Sequence, residues 1–345
     1  MSAGQDIPPP LGEVARRAAK RSDVTEGALP LHRRQTTTRP LSRLRRLAPP
    51  AGEQLFAVAP PYLWLLVFFL FPFALVFKLS LSHTVLAMPP YAPQLDWRAG
   101  PAGIVAFARQ LDLGNYARMG GDHLYLAAYL SSLKMAAVST VILLLVGYPI
   151  AYGMARCSPR TRQVLLLAVI LPFWTSFLIR IYAWIAILKP EGLLNAALRV
   201  FGIGPLDILN TDTAVYIGLV YAYLPFMILP LYASLERQDP ALVEAAADLG
   251  CPPWRIFWSI VLPQSLPGIV AGALLCFIPI VGEFVVPDLL GGSNTLMVGR
   301  VIWTEFFSDR DWPSASAAAI VLLATLVIPI VLYQRRQTRA LAEGG

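Results

Sequence analysis

Six apolar runs, each near the length that crosses a bilayer, constrain this 345-residue chain more than anything else in it: roughly 57–80, 126–153, 163–188, 214–234, 265–291 and 314–334. A helix needs about 20 mainly apolar residues to cross the hydrocarbon region. Composition agrees, with 56% hydrophobic and 14% charged residues, where a soluble domain carries about 25% charges. The expected fold is an all-α integral membrane protein of six transmembrane helices. Each run is interrupted by Pro, Gly or a polar side chain, which blurs its ends by several residues.

Residues 1–54 are different material, with Pro8–Pro10, Pro49, Pro50 and ten Lys/Arg. Such a composition buries too little apolar surface to fold alone and reads as a disordered basic tail. The first apolar run starts late, is too long for a signal-peptide core and lacks a small-residue cleavage site, so it reads as a retained anchor. With the N-terminus inside, cytoplasmic segments hold 18 Lys/Arg and the opposite segments 7; Lys78, Lys134 and Arg180 fall within the runs. That bias places both termini in the cytoplasm. The formal charge of +7 then follows from topology and attraction to anionic membrane lipid, and no nucleic acid is expected as a partner. Cys157 and Cys251 fall in cytoplasmic loops and Cys276 in a run, so no disulfide is expected. His32, His83 and His123 are scattered without ligand spacing, and no metal site is expected.

The chain has no Gly-Lys dipeptide, hence no P-loop, and no H-E-x-x-H, G-x-S-x-G or clustered Cys/His pattern. It is expected to be non-catalytic and to bind no cofactor; energy for any pumping must come from another subunit.

EAAADLGCPPWRIFWSIVLP, residues 244–263, lies between the fourth and fifth runs on the cytoplasmic side. Glu244 to Leu249 favour helix, with the negative charge expected near the helix N-terminus. Gly250 suits a left-handed helix end, and Pro252 and Pro253 suit the start of a second short helix reaching about Trp258. Trp254, Phe257 and Trp258 would give this two-helix knob an apolar face. Residue chemistry alone leaves two readings: a helix on the bilayer surface, or a knob that docks another protein.

The spacing E-A-A-x3-G-x9-I-x-L-P, met at Glu244, Ala245, Ala246, Gly250, Ile260, Leu262 and Pro263, resembles the loop that marks permease subunits of binding-protein-dependent ABC importers. PYLWLLVFFLFPF (61–73), LPFWTSFLIRIYAWIAILK (171–189), VYIGLVYAYLPFMILPLY (215–232), GEFVVPDLLGG (282–292) and MVGRVIWTEFFSDRDWPSASA (297–317) are similar to permeases of polyamine importers, in particular the first of the two permeases of putrescine/spermidine systems. The resemblance covers roughly 55–335. It implies a type I importer fold in the bacterial inner membrane, with 235–264 as the loop that seats in an ATPase subunit. It also implies a second permease as heterodimer partner, two ATPase subunits that carry ATP and Mg, a periplasmic solute-binding protein and a polyamine substrate. Residues 55–335 would be the permease domain and 336–345 a cytoplasmic tail.

A charge within a membrane helix costs several kcal/mol and needs a partner or a task. Arg180 and Glu283 lie about 17 and 18 residues from the inner ends of their runs, which at ~1.5 Å per residue puts both in the outer third. Two readings of Glu283 follow: a buried pair with Arg180 that fixes packing, or a counter-charge facing the pathway of a cationic substrate. Asp288 would sit nearer the outer mouth. Ring faces attract ammonium groups; among Trp174, Tyr182, Trp184, Tyr221, Tyr223 and Phe284, the candidates taken with Glu283 and Asp288 as pathway residues are Trp174 and Tyr223. Pro279, Gly282 and Pro287 suggest a kinked fifth helix. Rival functions are a permease for another small solute, an ATP-independent transporter or channel, which an inverted repeat or 10–12 spans would favour, and a membrane enzyme, which would need a nucleophile or metal constellation. The sequence displays no inverted repeat, no such span count and no such constellation.

Overall fold

The computed structural model describes residues 51–94, 98 and 100–343, and side chains for 58–94, 98, 100 and 102–331. Most of the basic tail expected over 1–54 lies outside the described residues. The chain divides into two compact units, Met1–Leu65 and Leu66–Gly345. The described end of the first is the helix Ala51–Leu65; the packing below belongs to the second.

In chain order the principal helices are α1 (Val58–Ser80), α2 (His123–Arg156), α3 (Pro159–Ile170), α4 (Phe177–Leu188), α5 (Asp212–Glu236), α6 (Pro240–Asp248), α7 (Pro253–Val281), α8 (Val285–Leu290) and α9 (Trp312–Glu343). Among the described residues α1, α2, α5, α7 and the Trp312–Val331 part of α9 are long and apolar enough to cross a membrane. The third run, expected as one span over 163–188, is instead broken: Pro159–Trp174 and Phe177–Val200 meet at 92°. The cause is local. Pro172 enters a single 3-10 turn, Leu171–Trp174, and lacks a donor to continue the helix. Thr175 turns extended, and its Oγ1 donates to the Pro172 carbonyl at 2.7 Å. The only strands among the described residues are β1 (His83–Thr84) and β2 (Tyr91–Ala92), a two-residue antiparallel hairpin between α1 and α2.

Helix starts are written in side chains. Asp122, Ser158, Thr211 and Asp239 cap α2, α3, α5 and α6 by accepting backbone N–H groups, with Pro159 and Pro240 at the first position where no donor is missed. In hydrocarbon there is little hydrophobic drive between helices, so close packing of small residues does that task. α5 is the hub, with α2 and α7 against it. At Gly268 a Cβ would lie 2.5 Å from the Ser234 Cβ and 2.8 Å from the Pro230 oxygen, and at Gly272 2.9 Å from the Met227 Sδ. Met227, Ile228, Leu231, Leu143, Ile280 and Cys276 fill the space around that contact.

The fifth run, expected as one kinked span over 265–291, also ends early. α7 stops at Val281, Gly282–Phe284 are non-helical, and α8 starts anew at Val285. The chain there leaves the α7 axis on the side of the molecule where the 83–92 hairpin meets α9: Thr84 Oγ1 donates to Asp311, and Tyr125 OH at the start of α2 donates to Glu305.

Candidate translocation site and coupling segment

Glu283 sits in the break between α7 and α8, and its carboxylate organises the turn. Oε1 accepts the backbone N–H of Val285 at 2.9 Å and of Phe284 at 3.2 Å, closing the first turn of α8. Oε2 accepts the hydroxyl of Tyr223, near the middle of α5, at 2.6 Å. The pair expected between Glu283 and Arg180 is not formed. Arg180 begins the second turn of α4 beyond the break, and its guanidinium rests against the rings of Phe173 and Phe177 at 5.4 and 5.6 Å. Rings separate the two charges: Phe173 contacts Phe226 edge-on at 5.1 Å, and Phe226 lies 6.0 Å from Tyr223. The straight third helix that would have aimed Arg180 at Glu283 is the one that breaks.

Of the other sequence candidates, Asp288 forms an ion pair with Arg300 at 3.2 Å and stays exposed. Tyr223 is buried, while Trp174, at the break in the third run, is 78% exposed. The structure thus brings Glu283 and Tyr223 together and leaves Trp174 outside their contact. Two residues missed by sequence reasoning complete the outer face. Arg300 neutralises Asp288, and Trp303 stacks on Phe284 with ring centres 4.4 Å apart and planes 12° apart. Both lie in the run 297–317, whose resemblance gave the only signal. Lys78 is held over the Tyr91 ring at 3.9 Å, and Lys134 is exposed on α2.

At the other end of α5 and α7 lies the segment 239–263. Asp239 and Pro240 start α6 one turn earlier than expected, so Glu244 is in mid-helix and not at its N-terminus. The helix closes as a Schellman motif: Cys251 N–H donates to Ala246 O at 3.1 Å and Gly250 N–H to Ala247 O at 2.9 Å. Gly250 has φ +78°, the left-handed residue enclosed by the ring that the Cys251 N–H closes on the Ala246 carbonyl. Nothing lies within 4 Å of a Cβ built there; backbone angle, not space, selects glycine. The second short helix expected to end near Trp258 does not end. Pro253–Ile256 passes through a π-turn, Phe257–Val261, directly into Leu262–Val281. Phe257 turns inward onto Tyr148 and Tyr152 of α2, edge-on at 5.7 and 6.0 Å. The exposed apolar face is therefore Leu249, Trp254 and Trp258, at 85%, 62% and 61% exposure. Glu244, Ala245 and Pro263 are exposed; Ala246, Ile260 and Leu262 are half-buried. Gln238 Nε2 donates to the Val261 carbonyl at 2.8 Å and ties the end of α5 to the π-turn.

Residues 144–341 match the family described as the binding-protein-dependent transport system inner membrane component. A spermidine/putrescine transport system permease protein PotB of Haemophilus influenzae is 41% identical over 284 residues, covering 82% of this chain and 93% of that protein. Its counterpart in Escherichia coli K12 is 43% identical over 225 residues, covering 65% of this chain and 82% of that one. In fold the chain resembles a subunit of a bacterial alginate ABC transporter, with TM-score 0.61 at 17% identity over 88% of this chain and 98% of that one. The α5–α7 hub, the broken third span and the 239–263 segment are all within the matched region, and the chain belongs to the binding-protein-dependent transport system inner membrane permeases, as a multi-pass component of type I ABC transporter fold.

Proposed function

We propose that this permease is one half of the membrane channel of an ATP-driven importer of polyamines such as putrescine and spermidine. Its partners are a second permease, two ATPase subunits that hold ATP and Mg, and a solute-binding protein on the periplasmic side. Both termini and 235–264 face the cytoplasm. The observation that carries the reading is the build of the coupling segment. The capped helix α6, closed by Gly250, and the first turn of α7 present Glu244, Leu249 and Trp254 to solvent at the end of α5 and α7 away from Glu283. An ATPase groove that seats this knob can move α7 through the continuous Pro253–Val281 helix. Since α7 ends at the Glu283 turn, movement at one end is delivered to the other.

At that turn Glu283 supplies the negative charge. Three N–H or O–H groups already bind its carboxylate, leaving room for about one more donor among some four lone-pair positions. An ammonium group fits that position, and the faces of Phe226, Phe284 and Trp303 suit the methylenes between ammonium groups. Asp288, already paired with Arg300, contributes charge balance nearer the mouth. Trp174, exposed at the break in the third run, meets substrate where the second permease completes the pathway.

The test is uptake of labelled putrescine by cells lacking their own polyamine import and given this permease with its companion subunits. Expected is energy-dependent uptake that unlabelled spermidine competes and molybdate or methionine does not. Uptake indifferent to spermidine, with another solute competing, would assign a different substrate to the same machine.

A further inference from the structure

We propose that the flank of α4 carrying Arg180, Ala183 and Ile187 is the seam with the second permease subunit, and that Arg180 receives a carboxylate from that subunit. This rests on the half-channel reading above. Arg180 is half-buried, and its Nε is buried without a hydrogen-bond partner among the described residues. Its only partners there are the rings of Phe173 and Phe177. A guanidinium has five donors, and a membrane-embedded charge held only by rings is costly. An acceptor from outside this chain is called for.

The helix shows where that acceptor approaches. Ile181 and Leu188 are buried and Phe177, Trp184 and Ile185 pack on the core, so they define the inward stripe of α4. Arg180, Ala183 and Ile187 follow one another at three- and four-residue spacing beside that stripe. Ala183 is exposed, and a small residue lets a neighbouring helix come close.

Charge balance favours a protein carboxylate over a lipid phosphate or open water. Arg180 is linked to the Glu283 site through Phe173, Phe226 and Tyr223. Although the intervening rings bar direct contact, the longer-range field of an unneutralised guanidinium would oppose the dication that Glu283 attracts. A carboxylate on the second permease neutralises Arg180 and leaves the Glu283 charge free for substrate.

The experiment uses the complete complex, purified through a tag on this chain with Cys157, Cys251 and Cys276 replaced. Ala183→Cys, labelled with benzophenone maleimide and illuminated so that the ketone inserts into a neighbouring C–H bond, is expected to yield an adduct containing the second permease. Arg180→Leu and Arg180→Glu should lower the second permease retained per tagged chain at least several-fold, and Arg180→Lys should largely restore it. The tagged chain should still elute as a folded species in each case. Three results would overturn the seam: unchanged retention in Arg180→Glu, an adduct only with lipid or another copy of this chain, or no adduct because the thiol introduced by Ala183→Cys is alkylated from the water phase. Should the unmodified chain retain no second permease at all, the half-channel reading fails as well. Retention without any Ala183→Cys adduct sinks the seam alone.

Discussion

Replacing Glu283 by Gln removes one charge and almost no volume, so it isolates what the carboxylate does. In the structure that group accepts two backbone N–H bonds and the Tyr223 hydroxyl. The Gln oxygen can keep the Val285 bond, and its NH2 can donate to the Tyr223 oxygen, so the turn into α8 should survive. What is lost is one charge-assisted contact with a substrate ammonium, worth about 1.5–3 kcal/mol. At 1.4 kcal/mol per tenfold that is a rise of roughly 10–150-fold in apparent KM for putrescine, with maximal rate changing less. The assay is labelled uptake into proteoliposomes holding the whole complex, run beside a thermal melt in detergent. Tyr223→Phe is the control: the charge stays and one neutral donor goes, so KM should shift only a few-fold. Because rings stand between Arg180 and Glu283, Arg180→Gln should combine additively with Glu283→Gln, with coupling in the melt under about 0.5 kcal/mol. An unchanged KM in a stable Glu283→Gln protein would refute the counter-charge, and a coupling of several kcal/mol would restore the direct pair.

Gly268→Leu should overpack the α5–α7 contact, where a Cβ would already lie 2.5 Å from Ser234; a loss of about 1–3 kcal/mol would appear as a lower melting temperature, and an unchanged melt would mean that the helices do not meet there. Glu305 lies outside the spans, accepts from Tyr125, and burial with Asp311 and Asp309 nearby raises its pKa above the ordinary carboxylate range. A raised carboxylate pKa contributes stability below the unfolded value and loses it as pH rises through the folded one. Glu305→Gln should therefore raise the melting temperature at pH 8, with the gain shrinking toward pH 5; a gain independent of pH would exclude the charge as its cause. In a chain stripped of native cysteines, single cysteines at Asn210 and Ser293 should react with impermeant maleimide from the periplasm and Ala247→Cys should not. Labelling of position 247 from outside would invert the topology.

What the sequence revealed and what it hid divide along physical lines. Membrane-length hydropathy is a sum over about 20 residues, so it survives local irregularity, and α2 and α5 appear within a few residues of the expected runs. Breaks are decided by single residues. Pro172 and Thr175 end the third helix, whereas Pro225 and Pro230 sit inside α5 without ending it, a difference that no window average sees. The Gly250 cap was legible because a left-handed residue is a local requirement. That Phe257 would turn inward onto Tyr148 while Trp254 and Trp258 stay out depends on the π-turn at 257–261, a register shift invisible in residue type. The Arg180–Glu283 pairing failed for the same reason, since depth along two straight helices was a sound estimate only if both were straight.

We propose that the Gly250-closed knob delivers ATP-driven motion to the pathway. The most direct test is substrate imported per ATP hydrolysed by the reconstituted complex, with Gly250→Asn and Gly250→Pro beside the unmodified chain. Asn tolerates the left-handed conformation that φ +78° demands, whereas Pro is fixed near −65° and has no N–H to give Ala247. Near-normal coupling is expected with Asn and, with Pro, an assembled permease whose transport falls at least tenfold relative to hydrolysis or whose substrate-stimulated hydrolysis disappears. Full transport with normal stimulated hydrolysis in a Gly250→Pro complex would contradict it and leave α6 as a helix resting on the membrane surface.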